Sequence, residues 1–150
     1  MNVKLLRKVA KYIMEEPRRL NMGNWLRSAK EVCYLSKSRR PPCGTVACIA
    51  GTACIVAGIA KLVPEGKKQV YRLPPDGPLA AQKVLGLTQE EACRLFLVDI
   101  EWGDGPFDGV EGHWPEQFAA VYSDEHNTPL KNAKIVVARI EHFIKTKGAE

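Results

Sequence analysis

Cysteines are the first residues in this 150-residue chain whose chemistry needs an explanation. Three of the five, Cys43, Cys48 and Cys54, lie in an uncharged stretch that runs from Cys43 to Ala60. Cys43 follows two prolines at the expected start of a helix, where unpaired backbone N–H groups and the helix dipole favour a thiolate. Such a thiolate could serve a hydrolase or transferase as nucleophile, with His113 as the candidate base.

A structural interpretation of Cys43 is favoured over this catalytic one. Cys43 and Thr45 would form the N-terminal cap region of a buried helix, in which the threonine or the turn satisfies the free backbone donors. None of the histidines His113, His126 and His142 has neighbours in the sequence that identify it as a base. We therefore expect a protein without enzymatic activity, and the cysteine-dependent hydrolase or transferase is the alternative.

The spacing of the cysteines also bears on metal binding. Four residues separate Cys43 from Cys48 and five separate Cys48 from Cys54. Tetrahedral zinc sites are usually built from pairs two to four residues apart, and only the first pair reaches that spacing. On a helix, Cys48 and Cys54 would point about 120° apart. Buried free cysteine commonly behaves as a small apolar residue. We expect no metal site and no cofactor, and a zinc-binding module is a lesser alternative.

A second set of reactive and polar residues lies in DIEWGDGPFDGVEGH, residues 99–113. Its four glycines and one proline exclude a regular element, and long glycine-rich loops often carry binding surfaces. The acids do not match the spacing of a calcium-binding loop. We expect an interaction or ligand site here, formed by Asp99, Glu101, Trp102, Asp104, Phe107, Asp108, Glu111, His113 and Trp114.

Helices must position these residues, since apolar side chains recur at helical spacing along most of the chain. Thr88 and Glu91 form a capping box, and Thr128 with Pro129 opens the last helix. A short strand or hairpin near residues 67–74 is also compatible with the pattern. The predicted helices are VKLLRKVAKYIMEE, NWLRSAKEVCYL, PLAAQKVL, QEEACRLFLV, PEQFAAVYS and TPLKNAKIVVARIEHFIK.

The uncharged stretch Cys43–Ala60 is predicted to be the central helix. Its three glycines and five alanines make it weakly hydrophobic, and no aromatic residues flank it, so we do not expect a membrane span. Small residues such as Ala47 and Gly51 let neighbouring helices pack against its backbone. The predicted fold is all-α, a compact bundle of six or seven helices around this small-residue helix, with residues 1–150 as a single globular domain.

Composition is that of an ordinary soluble protein, with 45% hydrophobic and 26% charged residues. The formal net charge is +5, but lysine and arginine are spread along the chain, so nucleic-acid binding is not favoured and remains a lesser alternative. AAQKVLGLTQEEACRLF has the outline of a helix-turn-helix, yet Glu90 and Glu91 would bring negative charge to DNA. The sequence lacks the pattern of a secretory signal, which indicates a cytoplasmic protein with reduced cysteines.

Four features together resemble a family of small uncharacterised proteins of bacteria and their phages: Trp25, CGTVACIAGTA from Cys43 to Ala53, AAQKVLGLTQEEACRLF from Ala80 to Phe96, and Trp114 with Pro115. Thr52 stands where that family has a tryptophan, so no role of that tryptophan carries over. The resemblance implies a bacterial or phage origin and no chemistry. The missing catalytic constellation, the compact helical fold and the aromatic, acidic segment lead us to expect a binding protein whose partner is a protein or small ligand. A phage-encoded protein acting on a host or defence component is one form of this hypothesis.

Overall fold

Helices and short strands make up the computed structural model, which describes residues 1–28, 41, 45–65, 68–98, 113–122, 124 and 126–149. In these residues the chain forms six α-helices, a 3-10 turn at Pro17–Arg19 and four strands. The helices are α1 (Val3–Glu15), α2 (Ile49–Val56), α3 (Gly77–Leu85), α4 (Gln89–Phe96), α5 (Glu116–Tyr122) and α6 (Pro129–Lys145). The strands are β1 (Leu26–Ser28), β2 (Thr45–Ala47), β3 (Lys61–Glu65) and β4 (Lys68–Arg72).

The predicted all-α fold is wrong, because the chain also forms two antiparallel two-stranded sheets. β1 pairs with β2, with Leu26 opposite Ala47, and β3 pairs with β4 as a hairpin with Val63 opposite Val70. The hairpin was compatible with the sequence pattern, but β1 replaces part of the helix predicted over NWLRSAKEVCYL. The rest of that predicted helix, from residue 29 onward, lies outside the described residues.

The central uncharged stretch is buried from Thr45 to Cys54, as predicted, but it is not one long helix, and Ala57 and Gly58 near its end are exposed. Residues 45–47 of the stretch form strand β2, and α2 covers only eight residues. The first six residues of α2, from Ile49 to Cys54, are buried. Gly58, with φ of 75°, ends the helix, and the N–H groups of the two residues that follow it both donate to the carbonyl of Cys54. Thr45 therefore caps no helix: its hydroxyl accepts a hydrogen bond of 3.2 Å from the backbone N–H of Tyr71.

Helices with local start and stop signals lie where the sequence predicts them. The capping box of Thr88 and Glu91 opens α4, and the Thr128 hydroxyl accepts from the Lys131 N–H at the start of α6. Gly86, in the left-handed conformation, ends α3. These contacts satisfy backbone groups that a helix end leaves free, so the boundaries follow from neighbouring residues alone.

A single apolar core joins the helices. α1 packs against α2 and α6, and α2 packs against α3. The largest side chains fully enclosed in this core include Trp114, Phe96 and Phe143. Among the described residues, no helix combines the length and the hydropathy needed to cross a bilayer.

Candidate functional site

Trp114 is the residue that fixes the candidate binding segment to the core. Its indole is fully buried, and its Nε1 donates a hydrogen bond of 2.9 Å to the carbonyl of Leu95. Its backbone N–H donates to the carbonyl of Leu97 at 3.1 Å. The ring also meets that of Tyr122 edge to face, with centroids 5.5 Å apart. A buried indole N–H needs an acceptor, and here the end of α4 supplies it.

Arg139 completes the same contact from α6. It is fully buried, and its Nη2 donates a hydrogen bond of 2.7 Å to the carbonyl of Arg94. Its guanidinium carbon lies 5.8 Å from the ring centroid of Phe118 and 5.4 Å from that of Phe143. A cation is favourable at the C-terminal end of a helix and over an aromatic face. The buried guanidinium is therefore stabilised both by the C-terminal end of α4 and by the two aromatic rings.

Two carbonyls in the last turn of α4 are thus capped by groups from distant parts of the chain. Arg139 donates to the carbonyl of Arg94, and Trp114 Nε1 donates to that of Leu95. The last helical hydrogen bond runs from the Leu97 N–H to the carbonyl of Cys93, and the carbonyls after it have no partner within the helix. The backbone hydrogen bond between Leu97 and Trp114 also holds the two residues that flank the candidate binding segment next to each other, at the end of α4. We call this arrangement the α4 anchor, defined by Arg94, Leu95, Leu97, Trp114 and Arg139.

Only two of the predicted binding residues fall in the described part of the chain. His113 is exposed and Trp114 is fully buried. The tryptophan therefore holds the end of the segment, and its ring is not offered to a ligand. The other predicted residues lie outside the described residues: Asp99, Glu101, Trp102, Asp104, Phe107, Asp108 and Glu111.

Sequence reasoning missed Arg139, although a signal was present. Val136, Ile140 and Phe143 are buried on one face of α6, and Arg139 lies on the same face at helical spacing. A charged residue at a core position of an amphipathic helix is rarely buried without a partner. The sequence therefore contained a pointer to a buried polar contact, but the acceptor, the carbonyl of Arg94, is a backbone group that no side-chain pattern reveals.

The described cysteines are structural thiols. Cys48, Cys54 and Cys93 are free and buried. Burial raises the pKa of Cys48 to about 12 and that of Cys54 to about 11, and it also raises the pKa of Cys93. Cys48 Sγ donates to the carbonyl of Trp25 and Cys54 Sγ to that of Gly77. These thiols are neutral donors with different partners, which is a poor arrangement for a nucleophile or a shared metal.

Cys43 itself lies outside the described residues, and no described helix begins at the position that was expected to activate it. The helix that was expected to begin at Cys43 begins at Ile49, after strand β2. The helix dipole acts within the first turn, so α2 gives no reason for a lowered pKa at Cys43. Within the described ranges, no group of three or more histidine, cysteine, aspartate or glutamate side chains is arranged to hold a metal ion.

We expect the buried thiols to resist alkylation across neutral and mildly basic pH. Raised pKa values keep Cys48 and Cys54 protonated at pH 7 to 9, and the thiolate is the reactive form. Iodoacetamide labelling of the folded protein, followed by peptide mass spectrometry, should leave both unmodified, while labelling in denaturant modifies both. Rapid labelling of Cys48 in the folded protein at pH 7 would contradict its burial. Rapid labelling confined to Cys43 would revive the hydrolase or transferase alternative.

Comparison with known proteins gives no relative on which to base a function. No protein-family model, no curated protein and no solved structure matches the chain significantly.

Proposed function

We propose that the protein is a binding protein without enzymatic activity, and that residues 99–113 contact its partner. The α4 anchor is the observation that supports this proposal. The hydrogen bond from the Trp114 N–H to the Leu97 carbonyl joins the residues that flank the segment. The buried side chains of Trp114 and Arg139 bind the end of α4 beside it. A loop whose ends are fixed to rigid elements loses less freedom on binding than a free one, so more of its contact energy contributes to affinity.

The composition of the segment points to a protein partner. It contains five acidic residues and no lysine or arginine, although the whole chain has a formal net charge of +5, so the remaining residues carry +10. Concentrated negative charge steers association with a basic surface. Trp102 and Phe107 add the aromatic side chains that dominate the energetics of protein interfaces. A partner with an apolar pocket bordered by lysine or arginine fits this combination best.

The resemblance to small bacterial and phage proteins supports a cellular setting for this partner. A phage-encoded protein of this size with a protein-binding segment would act on a host or defence component, in the cytoplasm where free cysteines remain reduced. The buried free thiols Cys48, Cys54 and Cys93 are compatible with that compartment.

Partner capture with matched variants tests the proposal. We expect tagged wild-type protein to enrich a specific protein from bacterial lysate, and Trp102→Ala/Phe107→Ala to retain it at least about tenfold less, because hot-spot aromatics commonly contribute more than 1.4 kcal/mol. Leu62→Ala/Leu130→Ala is the control, since these exposed apolar side chains (51% and 47% exposed) lie elsewhere. Quantitative mass spectrometry measures the retention. The proposal fails if the loop variant and the control retain the same proteins equally while both keep the wild-type unfolding midpoint.

A further inference from the structure

We propose that the exposed face of α1 binds the phosphate backbone of nucleic acids without reading their sequence. This basic face consists of Lys4, Arg7, Lys8 and Lys11, all of which are exposed. The inference concerns a different surface from residues 99–113 and does not depend on the role of that segment.

Burial of the opposite face of α1 places these cations together. The apolar residues of α1 are enclosed in the core, and they are Leu5, Leu6, Val9, Ala10 and Ile13. A helix buried along one stripe presents the remaining positions to solvent. The four cations occupy those positions within two turns. In the sequence they are obscured by lysines and arginines elsewhere in the chain, and the packing of α1 shows that they share one exposed side.

The charge pattern of the basic face works against the stability of its own helix. Lys4 and Lys8, like Arg7 and Lys11, are four residues apart, and Lys4 with Arg7 and Lys8 with Lys11 are three apart. Like charges at these spacings repel on a helix surface. Lys4 also lies in the first turn of α1, which contains no acidic residue, where the helix dipole disfavours a cation. Helix stability alone does not favour this arrangement, and such local conflicts are typical of functional surfaces.

Neighbouring acids offset part of this charge. Glu15 is exposed on α1 four residues after Lys11, a spacing at which opposite charges attract on a helix. Glu141 of α6 approaches Arg7, with Oε1 3.8 Å from Nε, but both side chains are largely exposed, so water screens the pair. Within the part of the chain that the structure describes, no ion pair includes Lys4, Lys8 or Lys11. Three lysines therefore remain available to an anion from solution.

Nucleic acid suits the basic face better than other polyanions. From Lys4 to Lys11 the helix rises about 10 Å, at about 1.5 Å per residue, and duplex DNA carries about six negative charges over that length. Lysine contacts phosphate as a point charge, and three of the four positions are lysine. The face has no amide side chain to pair with adenine and no aromatic side chain to stack on a base, so phosphate contacts dominate. A membrane surface is a poorer fit, because the apolar side of α1 is already buried in the core and cannot enter lipid.

Salt-dependent binding to DNA tests this inference. We expect wild-type protein to bind a fluorescent duplex of roughly 20 base pairs, with similar affinity for two unrelated sequences, in anisotropy titrations between about 50 and 200 mM NaCl. Lys4→Gln/Lys8→Gln/Lys11→Gln should reduce the slope of log affinity against log salt by about 3, since each phosphate contact contributes about 0.9. Affinity at the lowest salt should fall at least about tenfold. Removing the like-charge repulsion should leave the unfolding midpoint unchanged or raise it.

Lys61→Gln/Arg72→Gln/Lys83→Gln is the matched control, because it removes the same charge from exposed positions on the β3–β4 hairpin and α3. It should keep most of the wild-type slope. The inference is overturned if wild-type protein does not bind DNA at the lowest salt, or if the control loses as much binding as the α1 variant. Binding to anionic phospholipid vesicles without binding to DNA would also overturn it, as would a lower unfolding midpoint for the α1 variant.

Discussion

Gly51→Ala is expected to destabilise the fold by about 3 kcal/mol or more, although it adds only one methyl group. A Cβ atom at Gly51 would overlap the carbonyl oxygen of Trp25 and would lie 2.8 Å from the Trp25 carbonyl carbon and 3.0 Å from the Cβ of Ala47. Real Cβ atoms do not approach backbone atoms so closely. Because Trp25 precedes β1 and Ala47 belongs to β2, the methyl group must displace the strand pair from α2.

Gly58→Ala provides the control for this prediction. Gly58 has φ of 75°, so alanine there is strained by its backbone conformation, but nothing lies within 4 Å of the added Cβ. That strain costs about 1–2 kcal/mol. Urea denaturation followed by circular dichroism gives the free energy of unfolding of both variants. A Gly51→Ala variant no less stable than Gly58→Ala would show that the approach of Trp25 to α2 is not fixed.

Gly51 also shows what sequence reasoning could and could not obtain. The sequence predicts that a neighbouring element packs closely against Gly51, and the structure confirms this close approach. The neighbour is the backbone at Trp25, which leads into β1, and not the helix that was expected. Strand β1 has only three residues, and it pairs with a strand more than fifteen residues away in the chain. No local pattern encodes such a contact. Helices α4 and α6, by contrast, carry their own caps, Thr88 and Thr128, and were predicted correctly.

The start of the uncharged stretch was wrongly predicted to be helical, because a segment buried on every side has no alternation of apolar and polar residues to show its secondary structure. Thr45–Ala47 is buried at every position, and short fully buried runs do not distinguish strand from helix. Gly58 did carry a usable signal, since a glycine in a helical pattern often marks the end of the helix. In the candidate site, too, the local sequence pattern did not reveal the contact that a residue makes. An aromatic residue in a glycine-rich loop suggested that Trp114 contacts a ligand, but its Nε1 caps a helix end that is remote in sequence.

Trp114→Ala is expected to lower the free energy of unfolding by about 3–5 kcal/mol, as for other fully buried large aromatic residues. It removes a side chain enclosed in the core and leaves the carbonyl of Leu95 without the indole donor. His113→Ala is the control one residue away. His113 is exposed, and exposed substitutions usually change stability by less than about 0.5 kcal/mol. Equal effects of the two variants in urea denaturation would contradict the α4 anchor.

Trp114→Phe removes the hydrogen bond with less loss of packing than Trp114→Ala. Phenylalanine keeps an aromatic ring but cannot donate to the carbonyl of Leu95, and a buried acceptor left unpaired costs about 1–3 kcal/mol. The variant should therefore fold at room temperature with a lower unfolding midpoint. If the α4 anchor prepares residues 99–113 for binding, Trp114→Phe should also retain less of the partner than wild type in the capture experiment, although its ring lies in the core. Full retention by a destabilised Trp114→Phe variant would mean that the anchor supports the fold and not the binding segment.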